Sequence, residues 1–446
     1  MRQGHIERFK ADQQVDRLLR GLSRATDTVL IRLWERSGFP ADRALFAVGG
    51  YGRGELQPQS DVDLLLLTGV EPDAGQAGRI EHFIGACWDI GLEIGHSVRT
   101  PAQCAEEARA DVTVMTSLLE RRRLAGSRLL ARELDGVMQG LLVPAIFLRD
   151  KLLEMRRRHQ KYEDTPYSLE PNCKESPGAL RDLQVIGWVT RAAGLGLGWS
   201  ALVRAGVIEP LEARQLQRHE RLLKQIRAWL HILANRREDR LVYDLQPAVA
   251  REMGFEASSS RALSESLMQR YYLASKAITQ LSTILLQSLE QRLLGRPPAD
   301  AVPLDADFNR VDDLLDLREP DGFERHPQLL LRAFLMMQQH AELSGMTVPT
   351  LRALWHARFR IDAKFRHDPV NRAAFLALLQ APRGVTHELR RMNKWSVLGR
   401  YLPAFRRIVG RMQHDLFHVY TVDQHTLMVV RNLRRFMQAE HAHEYP

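Results

Sequence analysis

The strongest constraint on this chain is a short stretch, residues 45–67, in which two apolar runs flank a glycine-rich turn. Leu45–Val48 is the first run. The second, Val62–Leu67, is apolar at every position except Asp63, which is too continuous for a strand with one face in water. Gly49, Gly50, Gly52 and Gly54 lie between the two runs. The pattern predicts two buried strands joined by a tight turn.

The turn and the start of the second strand suit an anionic ligand held through a cation. Glycine lets the backbone approach a phosphate closely, main-chain N–H groups can bind its oxygens, and Arg53 could add positive charge. Asp61 and Asp63 are two residues apart, so in an extended chain their side chains point to the same face. Adjacent carboxylates repel unless a cation or a proton lies between them, and oxygen ligands suit Mg²⁺ bound with substrate phosphates. We therefore predict a metal and nucleotide site; the alternative is a glycine-rich hairpin with solvated aspartates.

A Gly-Gly turn before an Asp-x-Asp strand resembles the DNA polymerase-beta-like nucleotidyltransferases. Here Gly49-Gly50 precedes Ser60, Asp61 and Asp63. The resemblance implies an α+β fold, with a small mixed sheet and helices, followed in this chain by a mostly α-helical region. It also implies a third carboxylate on a neighbouring strand, for which Glu93 is the candidate; the alternative is that Glu93 is a surface strand residue.

Length and composition set broad limits on the protein. The 446 residues are 45% hydrophobic, which is enough for two or three domains with ordinary cores. No run approaches the ~18–20 apolar residues of a membrane helix, and MRQGHIERFK lacks the apolar region of a signal peptide, so we expect a cytoplasmic protein without a membrane partner. The three cysteines are widely separated and predict neither a disulfide framework nor a zinc site. The net charge of +9 favours anionic partners, but no basic stretch interleaved with aromatics indicates a nucleic-acid track.

Apolar spacing predicts that helices dominate after the first strands. A leading helix over 6–37 ends at Gly38 and Pro40, and Thr100-Pro101 opens another with a cap followed by proline. The remaining predicted elements are a strand over 92–98 and helices over 79–90, 112–123, 183–193, 209–235, 259–294, 327–343, 349–360 and 369–380. The helix over 112–123 would end in the basic run at 121–123, which is either solvated or an auxiliary contact to the triphosphate; we leave these arginines out of the site. Core positions are predicted in the later helices at Trp355, Phe359, Phe375 and Leu379.

Two segments break the helical pattern. Residues 164–182 hold three prolines and few apolar residues, so they form either a loop that brings Lys174, Arg181 and Asp182 to a nucleotide or a salt-bridged connector. The segment GRPPADAVPLD, which begins at Gly295, indicates a domain boundary or a long exposed connection.

Across almost its whole length the chain resembles the N-terminal part of the bacterial bifunctional PII uridylyltransferase and uridylyl-removing enzymes. The motifs that carry the resemblance are VGGYGRGELQPQSDVDLLLL, WDIGLEIGHSVRT, YSLEPNCKESPGALRDLQ, RREDRLVYDLQ, QRYYLASKAI and RRMNKWSVLGRYLPAFRRIVGRMQHDLFHVYTVDQHTL. The family transfers UMP from UTP to a tyrosine of the PII nitrogen-signalling protein, removes it at an HD-type metal site, and senses glutamine through C-terminal ACT domains.

The resemblance assigns residues and domains. It implies that Asp61, Asp63 and Glu93 are the Mg²⁺ (or Mn²⁺) carboxylates, and that Gly49, Gly50, Arg53 and Ser60 hold the triphosphate of UTP. The implied domains are a nucleotidyltransferase domain (1–125), a helical domain (126–295), a helical linker region (296–410) and the start of an HD domain (411–446). One departure from the family pattern is Ala179, where a second glycine is expected after Gly178.

The resemblance also has implications for the removal of UMP. His425 would be the first metal histidine of the HD domain, and the remaining ligands and the ACT domains would lie beyond Pro446, so we expect neither UMP removal nor a glutamine response from this chain. A metal cluster of His414, His418 and His425 is the alternative for this region.

Two other functions remain open at this point. A glutamine synthetase adenylyltransferase shares the same nucleotidyltransferase core but should contain two copies, and one Gly-Gly and Asp-x-Asp pattern is present here. A non-catalytic nucleotide-binding scaffold would have no need for three carboxylates.

Overall fold

The computed structural model describes residues 2–295, 300–412 and 420–436. The chain divides into two compact units: an N-terminal unit of Met1–Asp164 with Glu170–Glu256, and a C-terminal unit of Thr165–Leu169 with Ala257–Pro446. The domain boundaries after residues 125, 295 and 410 stay a prediction, because one compact unit can hold more than one domain. Within the described ranges, none of the helices has the length and apolar character needed to cross a membrane.

The N-terminal unit is a small sheet surrounded by helices. Its elements are α1 (Arg2–Asp12), α2 (Val15–Arg36), β1 (Arg43–Ala47), α3 (Gly49–Gly52), β2 (Val62–Thr68), α4 (Ala74–Asp89), β3 (Ile94–Arg99), α5 (Pro101–Ala110), α6 (Val112–Leu119), β4 (Arg122–Gly126), α7 (Arg128–Leu141), α8 (Pro144–Lys161), α9 (Leu180–Ala192), α10 (Trp199–Arg204), α11 (Pro210–Ala234), a 3₁₀ turn (Tyr243–Leu245) and α12 (Gln246–Glu252).

The sheet of this unit has the strand order β3-β2-β1-β4. β1 pairs antiparallel with β2 and with β4, while β2 and β3 are parallel, so the sheet is mixed as predicted. The side chains of β1 are all buried, and those of β2 are buried except Asp63, which is partly exposed. The two apolar runs therefore occupy the centre of the sheet, and the connection between them, with α3, leads into the start of β2.

The C-terminal unit is helical with a second, smaller sheet. Its elements are α13 (Ser260–Leu294), β5 (Val302–Pro303), β6 (Phe308–Val311), β7 (Leu314–Leu317), α14 (Gly322–Arg325), α15 (Leu329–Gln339), β8 (Gly345–Met346), α16 (Val348–Ala357), a 3₁₀ turn (Arg358–Arg360), α17 (Ala363–His367), α18 (Pro369–Gln380), α19 (Val385–Lys394), α20 (Leu398–Tyr401), α21 (Pro403–Ile408) and α22 (Val422–Arg435). The strand order of the second sheet is β5-β6-β7-β8.

Several local predictions are confirmed. Thr100 caps α5 through a reciprocal capping box with Gln103, and Pro101 occupies the first turn. The helices predicted over 183–193, 209–235, 259–294 and 369–380 are present with shifts of at most three residues at their ends. Cys87, Cys104 and Cys173 are free, buried thiols.

Other local predictions are wrong. The helix over 6–37 is two helices, because Gln13 adopts a left-handed φ of 56° between them. The helix over 112–123 ends at Leu119, and the basic run continues into β4, where Arg122 pairs with Asp27 at 2.8 Å instead of being solvated. Phe359 and Leu379 are 60% and 36% exposed, whereas Trp355 and Phe375 are buried as expected. The second sheet was not predicted, since its strands have only two to four residues.

Gly126, at the end of β4, supplies a stability prediction. Its φ is +83°, and a β-carbon there would lie 2.2 Å from the carbonyl oxygen of Arg43. Gly126→Ala should lower the free energy of unfolding by about 2 kcal/mol or more, because the backbone must leave both the left-handed region and the strand contact. Urea denaturation followed by circular dichroism measures this loss. The matched control is Gly136→Ala in α7, where nothing lies within 4 Å of the added carbon; equal midpoints for the two variants would contradict the prediction.

Candidate active site

Asp61 and Asp63 lie at the start of β2, on the wall of a cavity in the N-terminal unit. Asp63 fits there because two glycines leave room for its carboxylate: a β-carbon at Gly49 would lie 3.0 Å from Oδ2, and one at Gly95 would lie 2.9 Å from Oδ1. Gly49 also has a φ of +56°, which L side chains rarely adopt. Gly95 is paired with Asp63 across the parallel β2 and β3 ladder. The local sequence therefore places one carboxylate between two backbone segments.

The electrostatics of this carboxylate pair favour a cation. Burial, together with the adjacent charge of Asp61, raises the pKa of Asp63 to about 6. The Oδ2 atom of Asp61 accepts a hydrogen bond from Nη1 of Arg237 at 3.0 Å, so one positive charge already lies beside the pair. Two carboxylates in contact with a cavity are an oxygen donor set that fits a divalent cation such as Mg²⁺.

Glu93 occupies a different position from the one that the sequence suggested. It directly precedes β3 instead of lying within it, and its carbonyl oxygen accepts a hydrogen bond from the N–H of Val62 at 2.8 Å. Glu93 lines one cavity together with Arg2 and Ser60, whereas Asp61 and Asp63 line another. In the part of the chain that the structure describes, no three acidic, histidine or cysteine side chains are grouped closely enough to hold a metal. Glu93 as the third ligand stays a prediction.

The cavity that Asp61 and Asp63 line, here called the carboxylate cavity, has a volume of about 310 Å³. Its lining includes all of the predicted site residues except Glu93, namely Gly49, Gly50, Arg53, Ser60, Asp61 and Asp63. Gly49 and Gly50 belong to the single helical turn α3 and not to an open loop. The cavity therefore brings the glycine turn and the carboxylate pair to one place.

Arg53 lines this cavity, and its guanidinium already pairs with two carboxylates. Its Nη1 atom lies 2.6 and 2.7 Å from the two carboxylate oxygens of Glu120, and its Nε atom lies 3.1 Å from Glu55. Burial alone would lower the pKa of Arg53, but Glu120 and Glu55 raise it above its ordinary value. Trp188 donates its indole N–H to the same Glu120. Arg53 is thus fixed between the glycine turn, the end of α6 and α9.

Five further cations of the described residues line the carboxylate cavity. Lys174, in the loop before α9, and Arg181, in the first turn of α9, belong to residues 164–182, for which the sequence left a nucleotide contact and a salt-bridged connector open. Lys151 in α8 and both Lys224 and Arg227 in α11 were missed, because they lie in ordinary helices with no motif around them. Lys151 also lies 4.3 Å above the Trp188 ring. The cavity thus places cations beside two carboxylates.

The loop before α9 is held by hydrogen bonds to its own backbone. Oδ1 of Asn172 accepts from the N–H groups of Lys174 and Glu175 at 2.9 and 2.8 Å, which fixes the direction of Lys174. Asp182 is buried; it accepts from the N–H of Gly178 at 2.7 Å and from Arg158 at 2.7 Å, so it shapes the loop and is not among the residues that line the cavity. Ala179 has an extended backbone with φ of −98°, a conformation that needs no glycine.

Lys174 acts electrostatically on Asp63, together with Arg237 and Arg53. Their positive charges lower the pKa of Asp63, against the larger effects of burial and Asp61. Burial, reinforced by the charges of Arg181 and Arg227, lowers the pKa of Lys174 itself. Its Nζ atom lies 3.7 Å from Glu175, and an anion bound beside it would stabilise its charge further.

The histidines proposed for a second metal site are only partly described. His425 lies in α22, and its N–H donates to the carbonyl oxygen of Thr421 at 2.9 Å. His414 and His418 lie outside the described residues, so the proposed cluster stays a prediction.

Comparison with known proteins first identifies the class of domain that contains the two aspartates. A model described as "Nucleotidyltransferase domain" matches residues 30–116, the part that contains the sheet strands β1 to β3 and both aspartates. Strands β1 to β3 and the two aspartates thus lie in a nucleotidyltransferase domain. Two further models, "GlnD PII-uridylyltransferase" and "Uridylyltransferase GlnD third domain", match residues 146–286 and 308–401.

Curated relatives give the family. A protein of Bordetella parapertussis named "Bifunctional uridylyltransferase/uridylyl-removing enzyme" is 56% identical over 441 residues, which is 99% of this chain and 51% of the relative. Proteins with the same name from Cupriavidus pinatubonensis and Burkholderia orbicola are each 53% identical, over 98% and 99% of this chain and 50% and 52% of their own lengths. The chain belongs to the same family as these relatives, and it spans about half of their length.

The carboxylate pair generates a prediction that does not depend on activity. Asp61→Asn and Asp63→Asn should each remove most of the thermal stabilisation that Mg²⁺ or Mn²⁺ gives, because each substitution deletes a ligand. Without metal, Tm should stay constant or rise by a few degrees at most, because repulsion within the pair is relieved. Differential scanning fluorimetry with and without metal measures both effects.

The control is Asp89→Asn, which changes an exposed aspartate at the end of α4 and should keep the full metal response. A metal-dependent rise in Tm that is the same in all three variants would show that the cation binds elsewhere.

Proposed function

We propose that this chain transfers UMP from UTP to a tyrosine hydroxyl of the PII nitrogen-regulatory protein, in the cytoplasm. The observation that carries the proposal is the carboxylate cavity, in which Asp61 and Asp63 lie beside cations that include Lys174 and Arg181. The names of the curated relatives and of the matched family supply the nucleotide and the protein substrate. The sequence motifs that surround the cavity residues support the same reaction.

In this proposal Asp61 and Asp63 hold Mg²⁺ or Mn²⁺, with Glu93 as the predicted third ligand. The cation would neutralise phosphate charge and orient the nucleotide when bound. The fit rests on the two oxygen donors on one face of β2 and on the raised pKa of Asp63, whose cause is its burial next to a second carboxylate.

The cationic side of the cavity suits the triphosphate. Lys174 and Arg181 would contact phosphate oxygens, with Ser60 and the Gly49-Gly50 turn on the other side of the ligand. The tyrosine oxygen of the protein substrate attacks the α-phosphorus, the bond from that phosphorus to the bridging oxygen breaks, and pyrophosphate leaves while the hydroxyl proton is released. Positioned positive charge stabilises the charge that accumulates on the phosphoryl oxygens during this exchange.

Arg53 has a supporting role in the same proposal. Its guanidinium is held by Glu120 and Glu55, and Lys224 lies 2.5 Å from Glu55. Burial would raise the pKa of Glu55, but Lys224 and Arg53 lower it to about 2, so this carboxylate stays ionised throughout the physiological range. The network holds the glycine turn next to the cations. In this arrangement Arg53 can contact a phosphate only through the N–H groups that Glu120 and Glu55 leave free.

The test of the reaction is incubation of the chain with PII, labelled UTP and Mg²⁺ or Mn²⁺. We expect label on PII, and a fall in the transfer rate of roughly 10³-fold or more for Asp61→Asn and Asp63→Asn, since each removes a ligand from the reacting site. Asp89→Asn should transfer at the wild-type rate. Preferential labelling from ATP would favour an adenylyltransferase, and the absence of any label beside an active full-length relative would favour a nucleotide-binding scaffold.

The loop before α9 gives a separate kinetic prediction. Lys174→Met should lower kcat/KM for UTP by roughly 10²-fold, because the side chain keeps its length while the charge next to the triphosphate is lost. Steady-state transfer rates at varied UTP measure the effect. Lys161→Met, at the exposed end of α8, is the matched control and should have no effect. Equal activity of the two variants would assign the loop to a connecting role.

A further inference from the structure

A stack of alternating aromatic and guanidinium groups lies in the C-terminal unit, apart from the carboxylate cavity. The Cζ atom of Arg358 lies 4.1 Å from the centre of the Trp355 ring and 4.4 Å from that of Phe359. The Cζ atom of Arg400 lies 4.1 Å from the same Phe359 ring. Trp355 and Arg358 come from α16 and the 3₁₀ turn after it, and Arg400 comes from α20. Two positive charges thus share one aromatic ring.

The guanidinium of Arg358 is buried, and it forms no ion pair with a carboxylate of the described residues. Arg358 is only 7% exposed, and its Nη1 atom is shielded from solvent and makes no hydrogen bond. Over the described ranges, no aspartate or glutamate forms an ion pair with Arg358 or Arg400. Asp362, four residues after Arg358, is used as the cap of α17 through the N–H of Phe365. A buried charge is costly unless it is paired and hydrogen-bonded.

Neighbouring positive charges further destabilise the charged forms of Arg358 and Arg400. Burial, together with the charge of Arg400, lowers the pKa of Arg358 to about 9, and burial with the charge of Arg406 lowers the pKa of Arg400. Cation–π contacts stabilise guanidinium groups through their faces but use none of their N–H donors. These contacts therefore leave Nη1 of Arg358 without an acceptor among the described residues, and Phe359, which both guanidinium groups contact, is 60% exposed.

We propose that Arg358 and Arg400 form a binding site for the phosphate group of a small anionic molecule. A phosphate carries up to two negative charges and several acceptor oxygens, so it can satisfy two guanidinium groups together, whereas a single carboxylate matches one guanidinium fork. The rings of Trp355 and Phe359 hold the guanidinium planes in place before the ligand arrives, which lowers the entropic cost of binding. The site belongs to the part of the chain matched by the third-domain model and does not depend on the transfer reaction.

The test is titration of the full chain with inorganic phosphate at constant ionic strength, by calorimetry and by thermal shift, with sodium acetate as the carboxylate comparison. Arg400→Gln should weaken phosphate binding about ten-fold or more, since a charged hydrogen-bond partner is lost. Arg358→Gln should do the same if it folds, and Arg400→Gln carries the test alone if it does not. Arg360→Gln is the control, because Arg360 is exposed and pairs with Glu324 at 2.6 Å outside the stack.

Phosphate can also reach the cations of the carboxylate cavity, so each titration is repeated in the Lys174→Met background. The proposal requires that the loss caused by Arg400→Gln persists there and that Arg360→Gln binds phosphate as the parent does. Equal phosphate affinity in Arg400→Gln and Arg360→Gln would overturn it, as would acetate binding as tightly as phosphate. Binding of an oligonucleotide that depends on Arg400, with no response to free phosphate, would also overturn it in favour of a nucleic-acid contact.

Discussion

The repulsion between Asp61 and Asp63 is the constraint around which the N-terminal unit is arranged. Asp61 directly precedes β2, Asp63 is the second residue of this otherwise buried strand, and Asp63 is enclosed by Gly49 and Gly95. Carboxylates this close destabilise a fold unless positive charge lies nearby. The surrounding segments supply that charge: Arg237 pairs with Asp61, and the charge of Lys174 acts on Asp63. The loop before α9 and the segment after α11 are thus tied electrostatically to β2.

The same segments are also tied to each other through the backbone. Cys173 donates its N–H to the carbonyl oxygen of Asp239 at 2.7 Å, and Leu241 donates to that of Pro171 at 2.9 Å. Asp239 in turn accepts from His231 at 3.0 Å and pairs with Arg227. Residues 171–173 of the loop are thus held like an extra strand against residues 239–241. These bonds explain how Lys174, far from the aspartates in sequence, comes to line the cavity.

The sequence predicted the parts of the site that depend on local geometry. Two aspartates at a spacing of two share a face in any strand, and glycines in a tight connection need no distant partner to be recognised. Lys151 and Arg227 could not be predicted in the same way, because only the packing of α8 and α11 brings them to the cavity. The sequence placed Arg122 at a solvated helix end, because its partner Asp27 is 95 residues away along the chain. Helical spacing predicted that 349–360 and 369–380 are helices, but it did not show that Phe359 and Leu379 lie on their exposed sides.

The pairing of Arg237 with Asp61 has a consequence for how the site can work. An exposed ion pair of this kind contributes little to stability, so a divalent cation with its higher charge can replace the guanidinium at small cost. Arg237 offsets part of the repulsion between the carboxylates, because its Nη1 atom lies 3.0 Å from Asp61. A bound divalent cation would free this guanidinium, and an arginine can pair bidentately with a phosphate as well as with a carboxylate. In the proposed reaction the same side chain would therefore suit both states of the site, which a neutral residue at position 237 could not do.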